Sequence, residues 1–238
     1  MEGFLVLGFL VGMGHALEAD HLAAVGSMAA GRSSPRRLAF MGAIWGLGHT
    51  ITLFVLCSAV IAFGLVLNER AAAALEFSVG VMLVVLGLDV LRRMRKAKVH
   101  FHVHEHGDGQ PHIHAHSHLG SKHPHHQDPH QHAHPKGFPV KALLVGLVHG
   151  AAGSAALLAL ALAASRDPWL AIGYVILFGL GSICGMAALT FVAAWPLGFA
   201  ERSAKWLHRG LHVAISSAAI ILGASVMLET GRIIWGGA

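Results

Sequence analysis

Residues Gly12-Met13-Gly14-His15-Ala16-Leu17-Glu18-Ala19-Asp20-His21-Leu22 lie inside an apolar run that extends from about residue 3 to residue 30. Two imidazoles and two carboxylates thus fall between positions 15 and 21 of a segment long enough to cross a bilayer. Each charge at the centre of a membrane costs about 2.5–3.5 kcal/mol on insertion scales, so the cluster needs something to offset it. A divalent transition metal does so, because neutral imidazole nitrogens suit nickel, cobalt, copper and zinc while a carboxylate balances the charge. On a regular helix His15, Glu18 and His21 fall at about 0°, 300° and 240°, and Asp20 at about 140°. Asp20 therefore acts behind the ligands or faces another helix, or the span is broken near Gly12 and Gly14, as in transporters with discontinuous helices.

The composition around this cluster is that of a membrane protein. Of 238 residues 55% are hydrophobic and 12% charged, with a mean hydropathy of +0.61. A soluble domain carries about 25% charged residues, which excludes both that class and a disordered chain. Six apolar segments, at about 3–30, 38–67, 71–91, 140–164, 169–199 and 206–235, predict an all-α polytopic protein of six transmembrane helices. Trp169, Trp195, Trp206 and Trp235 stand near the predicted span ends, where indoles favour the lipid interface, and only Trp45 is deeper. Met1-Glu2-Gly3 lacks the positive start of a signal peptide, so the first apolar segment is expected to be retained.

Charge sets the expected orientation. Arg32, Arg36 and Arg37 follow the first span, Arg92, Arg93, Arg95, Lys96 and Lys98 follow the third, and Arg202, Lys205 and Arg209 surround the fifth connection. The positive-inside rule then places these connections in the cytoplasm and both termini outside a cell membrane. The net charge of +5 is spread over short connections instead of one basic face, which argues for a lipid bilayer and against a nucleic-acid partner. Cys57 and Cys184 lie in apolar stretches without CxxC spacing and support neither a disulfide framework nor a zinc finger.

The two halves of the chain resemble each other. Leu10, Val11, Gly12 and His15 match Leu144, Val145, Gly146 and His149 at an offset of 134 residues. Gly46-Leu47-Gly48 matches Gly179-Leu180-Gly181 at 133, and Leu86-Gly87 matches Leu222-Gly223 at 136. Three spans per half is an odd number, so the expected plan is two inverted three-helix repeats, 1–94 and 140–238, joined by a segment at 95–139. In the second span Gly46-Leu47-Gly48-His49 allows close helix approach, and His49 lies about 18 Å into the membrane at 1.5 Å per residue. It can meet His15 near the midplane. His149, beside Gly150 and Gly153, is either a further ligand or part of a tight helix crossing. Glu76, Asp89, His208 and His212 lie nearer span ends and read as interfacial.

The joining segment is of a different chemical kind. It holds 14 of the 20 histidines, with His100, His102, His104 and His106, then His112, His114, His116 and His118, in strict alternation. Such a run in a flexible chain, unstructured without metal, can recruit several imidazoles to a borderline metal ion, so these eight are expected to form a metal-collecting element.

With H-x4-D-H at His15, Asp20 and His21, a Gly-His at Gly48-His49 and the His-rich loop, the chain resembles the nickel/cobalt transporter family, and most closely its branch of urease-accessory nickel permeases. The resemblance implies Ni2+ or Co2+ as transported substrate with no permanently bound cofactor, and metal recognition by His15, Asp20, His21 and His49. Glu18 and His149 are further candidate ligands. A cytoplasmic metallochaperone of a nickel enzyme such as urease is the implied partner. The chain departs from the family at Gly14, where classical members have Arg, at Glu18, where many have Asp, and after Gly185-Met186, which no Asp follows. Related His-rich proteins export the same ions, so efflux stands beside uptake as an alternative. No G-x4-G-K-[ST] loop occurs, and the chain is expected to be a transporter and not an enzyme. Two readings of another class are a bis-His haem carrier using His15, His49, His149 and His212, and a thiol redox carrier using Cys57 and Cys184.

Overall fold

The computed structural model describes residues 2–29, 34–63, 68–96, 100–104, 112–116, 139–152, 167–202 and 205–236. Seven helices are present among them: α1 (Glu2–His15), α2 (Ala19–Ala29), α3 (Pro35–Phe63), α4 (Glu69–Lys96), α5 (Val140–Ala152), α6 (Pro168–Arg202) and α7 (Lys205–Trp235). Four of these, α3, α4, α6 and α7, are long and apolar enough to cross a membrane. Helices α1 and α2 pass the same test as a pair bent by 54°. Of the segment expected at 140–164 the described part is α5, with 13 residues, and 153–164 lie outside the described residues. Large apolar side chains such as Val6, Leu10, Phe40, Val55, Leu144 and Ile221 are exposed on the helix surfaces, as lipid contact requires. Trp169, Trp195 and Trp235 are exposed as well, whereas Trp45 is fully buried. The protein is a polytopic helical membrane protein.

The first span breaks, but one turn later than the glycines suggest. Helix α1 runs through Gly12 and Gly14 to His15, and the chain then turns over Ala16–Glu18. There the amides of Leu17 and Glu18 bond back to the carbonyls of Gly14 and His15 at 2.9 and 3.1 Å. Gly12 instead serves helix packing, since a Cβ at this position would collide with the carbonyl of Phe178 on α6.

The close approaches come in pairs. Gly12 lies against the Phe178 backbone and Gly146 against that of Trp45, two contacts related by the offsets of 134 and 133. Gly181 meets Phe9 and Met13, and Gly48 meets Leu143 and Leu147, again related by 134 and 133. Gly80 meets the Gly223 carbonyl and Gly87 the Ser216 carbonyl, related by 136. Accordingly α1 packs on α6 as α5 packs on α3, while α3 packs on α6 and α4 on α7 between the halves.

The His-rich stretch contributes two strands where unstructured chain is expected: β1 (His100–His104) pairs antiparallel with β2 (His112–His116). The alternation that reads as a metal-collecting run is also the period of a strand, and Phe101, Val103 and Ile113 are good strand formers. In the register, His100, His102 and His104 pair with His116, His114 and His112. Six histidine positions therefore share one face of the ribbon. His106 and His118 lie outside the described residues.

The glycine crossings predict a stability test. Gly12→Leu or Gly146→Leu forces apart two backbones in contact and is expected to cost about 1–3 kcal/mol. Gly210→Leu, at a position with nothing within 4 Å, leaves stability unchanged. Thermal unfolding of the detergent-solubilised protein, followed by loss of the monodisperse peak, measures both.

Candidate metal site

The break between α1 and α2 builds the site. It ends one helix at His15 and starts the next just before Asp20, so His15 on one half-helix, Asp20 and His21 on the other and Glu18 in the turn between them come together where the two meet at an angle. The C-terminal carbonyls of α1 give the break a partial negative charge that favours a cation, and the first turn of α2 favours the Asp20 carboxylate.

Asp20 is the hub. Its Oδ1 accepts from the His21 amide at 2.8 Å, one of the donors that a helix start leaves without an intrahelical acceptor, and from His21 Nδ1 at 2.9 Å. Its Oδ2 accepts from His149 Nε2 at 2.9 Å. Asp20 thus faces another helix, as the helical angles allow, and that helix is α5. Glu18 serves His15 in the same manner, with His15 Nδ1 donating to Glu18 Oε1 at 2.6 Å.

Each carboxylate fixes one nitrogen of its imidazole and leaves the other open. His15 Nε2, His21 Nε2 and both nitrogens of His49 are buried without a hydrogen-bond partner. The rings of His15 and His21 are 4.5 Å apart between centroids, His15 and His49 5.2 Å, and His21 and His49 5.5 Å. One nitrogen from each of the three lies within 4.8 Å of the others, and Asp20, His21 and His149 form a second such group. Imidazoles that donate their other N–H to a carboxylate are the usual form of a histidine metal ligand. The arrangement can hold a borderline divalent cation on three nitrogens with carboxylates behind two of them.

His49 and His149 reach the centre because glycines bring their backbones together. A Cβ at Gly150 would collide with the His49 carbonyl, and Gly146 and Gly48 meet the facing helix in the same way. His149 lies at the tight crossing that its neighbouring glycines predict, and there it bonds Asp20. Sequence reading missed the surroundings of the cluster. Trp45 packs 5.4 Å from His21 and 5.7 Å from His149, and Phe178 5.3 Å from His15. It also missed that Asp89 ties two helices, with Arg93 Nη2 of α4 and Lys141 Nζ of α5 each 2.5 Å from its Oδ2. His212 is buried within the protein. Of the cysteines, Cys57 is buried and Cys184 exposed.

A helical membrane protein with a broken first span and, at the break, buried histidine nitrogens backed by more exposed carboxylates is the class this structure defines. The chain is 30% identical over 234 residues to the urease accessory protein UreH of Bacillus sp. (strain TB-90), covering 95% of this chain and 91% of that protein. It belongs to the UreH family of urease accessory proteins, the branch that the H-x4-D-H string resembles. No family model matches the chain, and no solved structure matches it.

The hub predicts its own stability effect. Asp20→Ala strands the His21 amide, His21 Nδ1 and His149 Nε2, each loss costing about 1–3 kcal/mol where the donor is cut off from water. In metal-free detergent solution its unfolding midpoint is expected below that of Asp20→Asn, which keeps one acceptor oxygen.

Proposed function

We propose that this protein is a secondary transporter that carries Ni2+ or Co2+ through the membrane, in the direction of uptake, by way of a site at the break in the first span. The observation that carries the reading is the set of buried, open nitrogens on His15, His21 and His49 around one point at the break. His15, His21 and His49 are the ligands. Asp20 and Glu18 orient two of them and balance charge, and His149 holds the far side of Asp20. The UreH relative, a urease accessory protein by name, supports nickel as the substrate, since urease is a nickel enzyme. A cytoplasmic metallochaperone serving such an enzyme is the partner this role requires.

The transport cycle is alternating access between two inverted three-helix repeats, 1–94 and 140–238, with six spans in all. The paired glycine contacts at constant offset support the plan. By the positive-inside rule both termini lie outside and the His-rich 95–139 segment in the cytoplasm. A membrane potential favours cation entry by about 2.3 kcal/mol per charge per 100 mV, so uptake needs no further coupling. Export would need it. His100, His102, His104, His112, His114 and His116 on the ribbon, with His106 and His118 beside it, bind metal at the cytoplasmic mouth.

Radiolabelled nickel flux into sealed vesicles of known orientation tests this. His15→Ala, His21→Ala and His49→Ala are each expected to abolish saturable flux with the folded protein retained, and Asp20→Asn to weaken metal binding about 10–100-fold, as loss of a carboxylate behind a ligating histidine does. Flux unchanged in all four would place the pathway elsewhere, and flux only outward would reverse the direction. Deletion of 100–134 is expected to lower accumulation at scarce nickel and leave the maximal rate unchanged; complete loss would make the segment part of the pathway.

A further inference from the structure

We propose that Trp45 and Phe178 are the two inner gates of this pathway, one on each side of the histidine cluster, an inference that rests on the transport reading above. The residues occupy positions related by the 133-residue offset, and each presents its backbone carbonyl to a glycine of the other half, Gly146 for Trp45 and Gly12 for Phe178. Each ring then packs on the cluster, Phe178 on His15 and Trp45 on His21 and His149. Trp45 is fully buried and Phe178 is 4% exposed.

Their heights put the cluster between them. Along the α3–α6 contact Gly42 meets Met186 and Thr190, Gly46 meets Ile183, and Gly179 meets Thr50, so the helices are antiparallel. Phe178 is accordingly level with Ile51, about 9 Å along α3 from Trp45 at 1.5 Å per residue, with His49 between the two levels. A cation entering from the end of Phe63 and Pro168 meets the buried cluster that Phe178 forms with Leu53, Cys57, Tyr174 and Val175 before it meets the histidines. One leaving toward the His-rich segment passes Trp45, packed among Met41, Ile44, Val145 and Met186.

The chemistry of the rings fits a gate. An aromatic face attracts a passing cation without the fixed charge that would trap it. The indole adds a second observation: Trp45 Nε1 is buried without an acceptor, a cost that a phenylalanine in the same place would avoid. Water entering an opened passage satisfies that N–H, so the indole lowers the cost of wetting this side. Trp45 eases opening toward the His-rich segment, and Phe178 seals the opposite side by packing alone.

Cys57 is a built-in reporter, since its buried thiol lies in the Phe178 cluster. In full-length protein reconstituted in vesicles, with Cys184→Ser to remove the exposed thiol, a membrane-impermeant maleimide is applied to each face in turn. Phe178→Ala is expected to speed Cys57 labelling at least about tenfold from the face opposite the His-rich segment, and Trp45→Ala to leave it unchanged. If Phe178→Ala does not fold, Phe178→Val carries the same expectation. In nickel flux the double variant Phe178→Ala/Trp45→Ala loses saturation, with KM raised at least about tenfold, whereas Trp45→Phe lowers the maximal rate several-fold at nearly constant KM. Labelling that stays slow in both Phe178 variants, or that rises equally from both faces, overturns the proposal and leaves the rings as packing. If the parent protein carries no nickel, the transport reading fails and the labelling result alone decides whether Phe178 closes that side.

Discussion

An ionised carboxylate within an apolar helical segment must find donors, and an unbroken helix offers none because its amides are bonded to their own carbonyls. Asp20 meets that constraint through the break after His15, which frees the His21 amide and aims the carboxylate at α5. The remaining donors are imidazole N–H groups, and their use by Asp20 and Glu18 leaves the opposite nitrogens of His21 and His15 as bases. The same hydrogen bonds that make the acids tolerable therefore prepare the histidines for a metal. Helix geometry follows from this centre: α5 must approach α3 closely enough for His149 to reach Asp20, and Gly48, Gly146 and Gly150 permit it.

The positions related by the constant offsets are not chemically equal. His15 corresponds to His149, Phe178 to Trp45, and His49 to Ser182, whose hydroxyl instead donates to the Gly12 carbonyl of α1 at 3.2 Å. Glu18, Asp20 and His21 have Ala152, Ser154 and Ala155 as counterparts. Symmetric backbone contacts thus carry a one-sided set of histidines and carboxylates. A transporter needs both properties, because like halves can exchange conformations at little cost while a single asymmetric cluster gives the ion one place to rest.

How much of this could be read in the sequence depends on whether a feature is local. The span-one cluster was legible because four ionisable residues in seven positions are costly anywhere in an apolar run. His49 was legible through its flanking glycines. The partner of Asp20 was not, since nothing local to residue 20 points to residue 149, and only the 134-residue offset links His149 to the first span. The position of the break was misjudged because glycine signals both helix weakness and close packing, and Gly12 serves the second. Trp45 stood out as the deepest tryptophan, but Phe178 is one of 11 phenylalanines and acquires meaning only beside His15. The ribbon was missed because a period of two was assigned to metal recruitment alone, although apolar residues filled the alternate positions.

The place of that ribbon bears on what it does for the site. It departs from the end of α4 and returns to the start of α5, and Asp89 of α4, which also pairs with Arg93 on its own helix, ties the two helices together through Lys141 of α5. The histidine-bearing segment is therefore tethered to the helix that carries His149. On the uptake reading with this segment in the cytoplasm, it would stand at the exit, take ions as they emerge and keep the free concentration low beside the site, so that fewer return. A binding element of this kind leaves the equilibrium of the free ion unchanged and acts on net flux, and it does so most when metal is scarce and its imidazoles are mostly empty. At an entrance the same ribbon would instead raise the local supply. On the transport reading proposed above, the six in-register histidine positions would form an element whose effect follows the direction of transport, its sign set by the side of the membrane on which α4 ends.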